Sequence, residues 1–96
     1  MKQKIRGDFA HIRLTRDFNL LTVRELERSY KDCERFEFDL SSCRFIDSEA
    51  IIYIHRLIHS GIEVRLLQAP PILKECLRIL ELEHVWEENK NLNMVD

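Results

Sequence analysis

The chain of 96 residues has a formal net charge of −2 and a hydrophobic content of 45%, which predicts one packed domain with a modest core. Positive and negative charges are mixed along the sequence without a run of lysine and arginine, so nucleic-acid binding is not expected. The longest apolar run, Ala50 to Ile54, is too short to span a membrane. No signal peptide is evident, and the three cysteines have no C-x-x-C spacing, so we expect a cytoplasmic protein with reduced thiols.

Hydrophobic periodicity and turn residues predict alternating strands and helices. In chain order the predicted elements are strands at 2–5 and 9–14, a helix at 22–31, a strand at 36–40, a helix at 48–60, a strand at 62–66 and a helix from 70. Gly7-Asp8 suits a tight hairpin because glycine accepts positive φ, and Gly61 is placed to end the second helix in a left-handed conformation. Thr22 and Glu25 have capping-box spacing, and Pro70-Pro71 is typical of a helix start.

The last third of the chain predicts one more packed helix and then a loose end. Leu73, Leu77 and Leu80 recur on one side of the third helix. Trp86 is expected to dock the end of that helix onto the core. Residues 87–96 are polar, and we expect a loose C-terminal tail there, within a single domain of residues 1–96.

The order of these elements predicts the architecture. Strands separated by helices pair in parallel through right-handed crossovers. The central strands alternate apolar and charged residues instead of being apolar throughout, so the helices should lie mainly on one face. The other face should carry paired charges, namely His11, Arg13, Glu37, Asp39, Glu63 and Arg65. We therefore predict a two-layer α/β domain with a mixed, mostly parallel sheet of four to five strands.

Topology also predicts the functional region. Sites in such sheets form at the carboxyl ends of the parallel strands, where Asp39, Asp47 and Ser48 are expected. Ser48 lies in the first turn of the second helix, where backbone N–H groups and the helix dipole favour negative charge. Its hydroxyl could serve only as a helix cap. Alternatively, a phosphate on Ser48 would add roughly −1.5 to −2 charges beside Asp47 and Glu49 and change the binding of a docked partner.

Catalytic and metal sites are not predicted. Ser48 has no flanking glycines of the G-x-S-x-G type that a nucleophile elbow requires. Asp39 ends a strand as a receiver-domain acceptor would, but the accompanying acidic pair and lysine are not evident. His55 and His59 share a helix face, yet Arg56 follows where an H-E-x-x-H motif has glutamate, and no third ligand is apparent. We expect a non-enzymatic protein without metal or cofactor.

The motifs of this chain, taken in order, resemble those of STAS domains, the module of bacterial anti-sigma factor antagonists. The resemblance runs from about Phe9 to Trp86. It rests on D-L-S at 39–41, I-D-S at 46–48 before an apolar helix, I-E-V-R-L-L at 62–67, A-P-P at 69–71 and the ending L-x-x-L-E-L-E-H-V-W at 77–86. The resemblance implies a mixed sheet with helices chiefly on one side.

The resemblance also implies a function. In antagonists of this family, the serine that follows the aspartate is phosphorylated by a partner anti-sigma factor with a GHKL-type kinase fold, and phosphorylation ends the binding. By resemblance Ser48 is the phosphorylation site and Asp47 its neighbour. The expected partner-binding residues are Asp39, Asp47, Ser48, Glu49 and Ala50.

Two features of the resemblance qualify this expectation. The family usually has glycine where Ala50 and Glu81 stand, so the Cβ of Ala50 is expected at a close approach of the partner's backbone. A second branch of the family consists of small STAS subunits that bind the ATPase of Mla-type lipid ABC transporters, and this is the alternative function.

The charged open face favours a monomer.

Overall fold

A computed structural model of the chain describes residues 2–6 and 9–95, with side chains from residue 9 onward. Its elements in chain order are strand β1 Lys2–Arg6, strand β2 Phe9–Arg13, helix α1 Leu20–Ser29, strand β3 Arg35–Asp39, helix α2 Ser48–His59, strand β4 Glu63–Leu67, helix α3 Pro71–Ile79, helix α4 Glu83–Glu88 and strand β5 Leu92–Val95. The predicted alternation of strands and helices is confirmed, with helix starts no more than two residues from the expected positions.

The described strands form one sheet in the order β1-β2-β3-β4-β5. β1 and β2 are antiparallel, with Arg6 opposite Phe9, while β2, β3, β4 and β5 are parallel to one another. The predicted turn residues Gly7 and Asp8 lie outside the described residues. The mixed, mostly parallel sheet is therefore confirmed, and all of the βαβ crossovers lead to a neighbouring strand.

The two faces of the sheet differ as the alternation predicted. The side chains that face the helices are buried, and these are Ala10, Ile12, Phe36, Phe38, Val64 and Leu66. On the opposite face His11, Glu37 and Arg65 are directly opposite one another on adjacent strands. His11 contacts Glu37, whose other carboxylate oxygen accepts from Arg65 at 3.4 Å. The open face is thus a charged row that can remain in water, while the helices cover the apolar face.

The start of α1 differs from the prediction. The cap is Asn19, whose Oδ1 accepts from the backbone N–H of Thr22 at 3.2 Å. The hydroxyl of Thr22 instead donates to the carbonyl of Asp17 at 2.8 Å. The predicted capping box of Thr22 and Glu25 is wrong. An N-cap at Thr22 would make residue 23 the first helical residue, whereas the helix already begins at Leu20.

Helices α2 and α3 end with the same hydrogen-bonding motif. After α2, Gly61 has φ +84°, and the N–H of Ile62 donates to the carbonyl of Leu57 at 3.0 Å. After α3, Glu81 has φ +59°, and the N–H of Leu82 donates to the carbonyl of Leu77 at 2.8 Å. Both are Schellman motifs, which need a left-handed residue directly after the cap. The prediction for Gly61 is confirmed.

The C-terminal segment contradicts two predictions. Residues 87–96 were expected to be loose, but 87–88 complete α4 and Leu92–Val95 form β5, which pairs with β4. Leu80 was expected on the packed side of α3, but it is 42% exposed because the helix ends at Ile79 and the chain turns away. Trp86 is buried as predicted. Among the described residues, no helix has the length and apolarity needed to cross a membrane.

Candidate functional site

The starts of α1 and α2 lie side by side at the carboxyl edge of the parallel strands. Phe18 and Ile46 form a parallel bridge. The N–H of Phe18 donates to the carbonyl of Phe45 at 2.8 Å, and the N–H of Asp47 donates to the carbonyl of Phe18 at 3.1 Å. In each segment the next residue, Asn19 or Asp47, is the N-cap of its helix. The bridge therefore brings two helix N-termini together.

The loop that leads to α2 is fixed at several points. The N–H of Leu40 donates to the carbonyl of Leu67 at 2.9 Å, which extends the pairing of β3 with β4 beyond the strands. The buried thiol of Cys43 donates to the carbonyl of Phe45 at 3.3 Å, and burial raises the pKa of this thiol. Ile46 is buried in the core. The surface that this loop presents is therefore set by the fold.

Asp47, and not Ser48, caps α2. The Oδ1 atom of Asp47 accepts from the backbone N–H of Ala50 at 3.1 Å, as an N-cap side chain does. Ser48 is the first helical residue and is exposed. Within residues 9–95 no hydrogen bond of the Ser48 hydroxyl is found. The interpretation of Ser48 as a cap is therefore wrong, and its side chain is free to be modified or to contact a partner.

Asp39 has a different environment from Asp47 and Ser48. It ends β3 on the charged face, and its Oδ1 accepts from the backbone N–H of Ser41 at 3.0 Å. Hydrogen bonds from the backbone and the hydroxyl of Ser41 lower the pKa of the Asp39 carboxyl, and the charges of Arg13 and His11 add to this effect. The topology prediction placed Asp39 at the correct edge of the sheet. Its described partners, however, belong to the loop and the open face and not to the start of α2.

The two residues after Ser48 also differ from each other. Glu49 is exposed and carries its charge in the first turn of α2. Ala50 is fully buried in the core, so the expectation that it contacts a partner is wrong. A helix residue three positions from the cap faces the sheet here, and the Cβ of Ala50 packs inside the domain.

Exposed apolar side chains lie on the two helix starts that meet here, and sequence reasoning missed them. Leu21 is 74% exposed in the first turn of α1, Phe45 is 47% exposed in the loop, and Ile52 is 40% exposed one turn after Ser48 in α2. The sequence does indicate the exposure of one of them. Helix α2 has consecutive isoleucines at 51 and 52, and only one of the two can face the core. We call the surface formed by Leu21, Phe45, Ser48, Glu49 and Ile52 the α1–α2 edge.

The histidine pair has a structural role in the described chain. The Nε1–H of Trp86 donates to Nδ1 of His55 at 3.1 Å, and the rings of His55 and His59 are 4.2 Å apart. The lone pair on Nδ1 of His55 accepts this hydrogen bond and therefore cannot bind a metal ion at the same time. Among the described residues, no group of three or more histidine, cysteine, aspartate or glutamate side chains could hold a metal ion.

The sequence matches no protein-family model and no curated protein. Solved structures do match it. A candidate anti-sigma factor antagonist from Thermotoga maritima has a TM-score of 0.72 and 17% identity, over 99% of this chain and 85% of that chain. The anti-sigma factor antagonist SpoIIAA in its unphosphorylated form has a TM-score of 0.67 and 12% identity, over 99% of this chain and 86% of that chain. The fold of this chain is therefore the STAS fold of the anti-sigma factor antagonists.

Proposed function

We propose that the protein is an anti-sigma factor antagonist, a non-enzymatic module that binds an anti-sigma factor of the GHKL kinase type on the α1–α2 edge. The observation that carries the proposal is the division of roles between Asp47 and Ser48. Because Asp47 caps α2, the Ser48 hydroxyl is exposed and uncommitted. The same edge exposes Leu21, Phe45 and Ile52, apolar side chains that a folded monomer gains nothing by exposing.

Phosphorylation of Ser48 is the proposed regulation of this surface. A phosphate at the first helical position would be stabilised by the free N–H groups and the dipole of α2. It would add roughly −1.5 to −2 charges beside Glu49. A partner packed against Phe45 and Ile52 would meet this charge at a surface from which water is excluded, so binding should weaken. The fold itself would not need to change.

The proposal assigns no catalytic group to this chain. The kinase activity would belong to the partner, which would transfer the γ-phosphoryl group of cytoplasmic ATP to Ser48 and release ADP, and for this reason we place the protein in the cytoplasm. Support for the class of partner comes from the neighbouring structures, two of which are described as antagonists of anti-sigma factors. The alternative partner, an ABC-transporter ATPase, would use the same surface without phosphorylation.

The test is affinity purification of the tagged protein from its host, with the bound proteins identified by mass spectrometry. The wild type and Ser48→Ala should recover a GHKL-type kinase, and Ser48→Asp should bind it about 1–3 kcal/mol more weakly. Phe45→Asp should also lose binding because it places a charge in the apolar part of the interface. Ser29→Asp, which adds the same charge to an exposed serine at the opposite end of α1, is the matched control and should bind normally.

Phosphorylation is tested separately, by incubating the protein with the recovered kinase and ATP and measuring its intact mass. The wild type should gain one phosphate and Ser48→Ala none. Recovery of an ABC-transporter ATPase in place of a kinase would replace the proposal by the alternative. Equal binding of Ser48→Asp and Ser48→Ala to the kinase would contradict the switch while leaving the partner assignment intact.

A further inference from the structure

A second candidate site lies at the opposite ends of the same two helices. A cleft of about 270 Å³ opens between the last turns of α1 and α2, where β3 and β4 begin. Its apolar lining includes Phe36, Leu57 and Ile62 together with the ring of Tyr53. Because α1 and α2 both follow parallel strands, this cleft and the α1–α2 edge lie at opposite edges of the sheet, and a ligand in one does not occupy the other.

Tyr53 provides a polar group inside this apolar cleft. The residue is only 5% exposed, and its ring packs against Phe18 and Phe38 with centroid distances of 6.5 and 6.4 Å. The hydroxyl has no hydrogen bond to any described residue. Since the described part of the chain contains no fully buried polar side-chain atom without a partner, the oxygen must open into the cleft. Burial raises the pKa of Tyr53, so the phenol stays protonated and remains a hydrogen-bond donor.

Arg56 supplies a cation beside this donor. It follows Tyr53 by three residues on α2, so both side chains lie on the same face of the helix and both line the cleft. Arg56 is exposed, and none of the ion pairs of the described residues involves it. A guanidinium and a phenol O–H on one helix face can bind the two oxygens of a carboxylate.

The opposite wall limits the charge of a ligand. Glu27 of α1 lines the cleft, and its negative charge acts on Tyr53. Lys31, just after α1, also lines the cleft. The lining thus carries two cations, Lys31 and Arg56, and one anion, Glu27, so its net charge of +1 is matched by a single carboxylate on the ligand. The volume is also below the range of drug-sized pockets, roughly 300–1,000 Å³, so the cleft suits a small molecule.

We propose that this cleft binds a small monocarboxylic acid with a compact apolar body. The carboxylate would accept from the Tyr53 hydroxyl and the Arg56 guanidinium, and the apolar body would contact Phe36, Leu57 and Ile62. The site is independent of the docking function proposed above, since it uses the other ends of α1 and α2.

The experiment is an NMR titration of the ¹⁵N-labelled full chain with three probes of nearly equal size: phenylacetate, its neutral analogue phenylacetamide and the cation phenethylamine. Phenylacetate should bind saturably, with a Kd of about 1 mM or tighter, and shift the amide signals around Tyr53 and Arg56. Arg56→Gln and Tyr53→Phe should each weaken binding about tenfold. Arg24→Gln, a change at another exposed arginine of a helix, is the matched control and should bind like the wild type.

Each outcome decides for or against the site. Equal binding of phenylacetate and phenylacetamide would refute the role of Arg56, and tighter binding of phenethylamine would show that Glu27 selects a cation instead. Absence of saturable shifts near the cleft with all three probes would refute the site itself. Both variants are conservative, so their amide spectra show directly whether the fold is retained, and a normal spectrum with undiminished phenylacetate binding contradicts the proposal.

Discussion

The two Schellman motifs provide a matched test of backbone strain, because one has glycine and the other glutamate at the left-handed position. Glu81 has φ +59° and Gly61 has φ +84°. A residue with a Cβ loses about 1–2 kcal/mol in this conformation, and glycine loses about 0.4–1 kcal/mol through the greater freedom of its unfolded chain. Glu81→Gly should therefore raise the free energy of unfolding by about 0.5–1 kcal/mol, and Gly61→Ala should lower it by about 1 kcal/mol.

Space and charge can be separated from backbone strain at these positions. No heavy atom lies within 4 Å of the place where a Cβ on Gly61 would be, so the cost of Gly61→Ala comes from the backbone alone. Glu81 also places a negative charge at the C-terminus of α3, which is unfavourable for the helix dipole. Glu81→Gln removes this charge and keeps the strained backbone, and it is therefore the control for Glu81→Gly.

Urea denaturation followed by circular dichroism measures all three variants, and thermal unfolding should shift by about 4–8 °C for each 1 kcal/mol in a domain of this size. If Glu81→Gly is no more stable than Glu81→Gln, the stabilisation comes from charge and the argument from backbone strain is refuted. If Gly61→Ala is as stable as the wild type, the left-handed conformation after α2 is not required.

Two further predictions concern the cap of α2 and the histidine that accepts from the indole. Asp47→Ala should lower the free energy of unfolding by about 1 kcal/mol because the N–H of the third helical residue loses its acceptor, whereas Ser48→Ala should change it by less than about 0.5 kcal/mol; equal losses in urea denaturation would contradict the assignment of the cap. Desolvation and the neighbouring His59 lower the pKa of His55 below its usual 6.5, so the unfolded chain binds the proton more readily and stability should fall as the pH drops below about 6.5. His55→Asn keeps an acceptor for Trp86 but does not titrate, and its stability should depend less on pH over this range; identical pH profiles would show that His55 is not responsible.

The sequence was sufficient for those features that depend on local periodicity. Alternation in β2, β3 and β4 predicted both faces of the sheet, and Gly61 predicted the end of α2. The last helix and strand were missed because β5 is short and polar, and its pairing with β4 comes from contacts far apart in the sequence. A second long-range contact holds the residue before β5, since the side-chain amide of Asn91 donates to the carbonyl of Ile58 in α2 at 2.9 Å.

The candidate site was predicted in position but not in detail. The motif around Ser48 indicated the correct edge of the sheet, but capping could not be assigned from composition, since Asp47 and Ser48 are both favourable cap residues. The bridge between Phe18 and Ile46 determines which of the two residues is the cap, because it fixes where α2 begins. The exposure of Leu21 and Phe45 likewise depends on how the two helix starts meet, and a local sequence pattern does not predict such a tertiary contact.

These details allow the proposed switch to be distinguished from a loss of folding. Ser48 is not needed as a cap, and its neighbours Ile46 and Ala50 are anchored in the core. A negative charge at the first helical position interacts favourably with the helix dipole, by about 0.3–1 kcal/mol. Ser48→Asp should therefore be as stable as the wild type or slightly more stable in urea denaturation, while its binding to the partner is weakened. A variant that lost both stability and binding would show that the serine acts through the fold, because a charge acting only at the docked surface cannot destabilise the free domain.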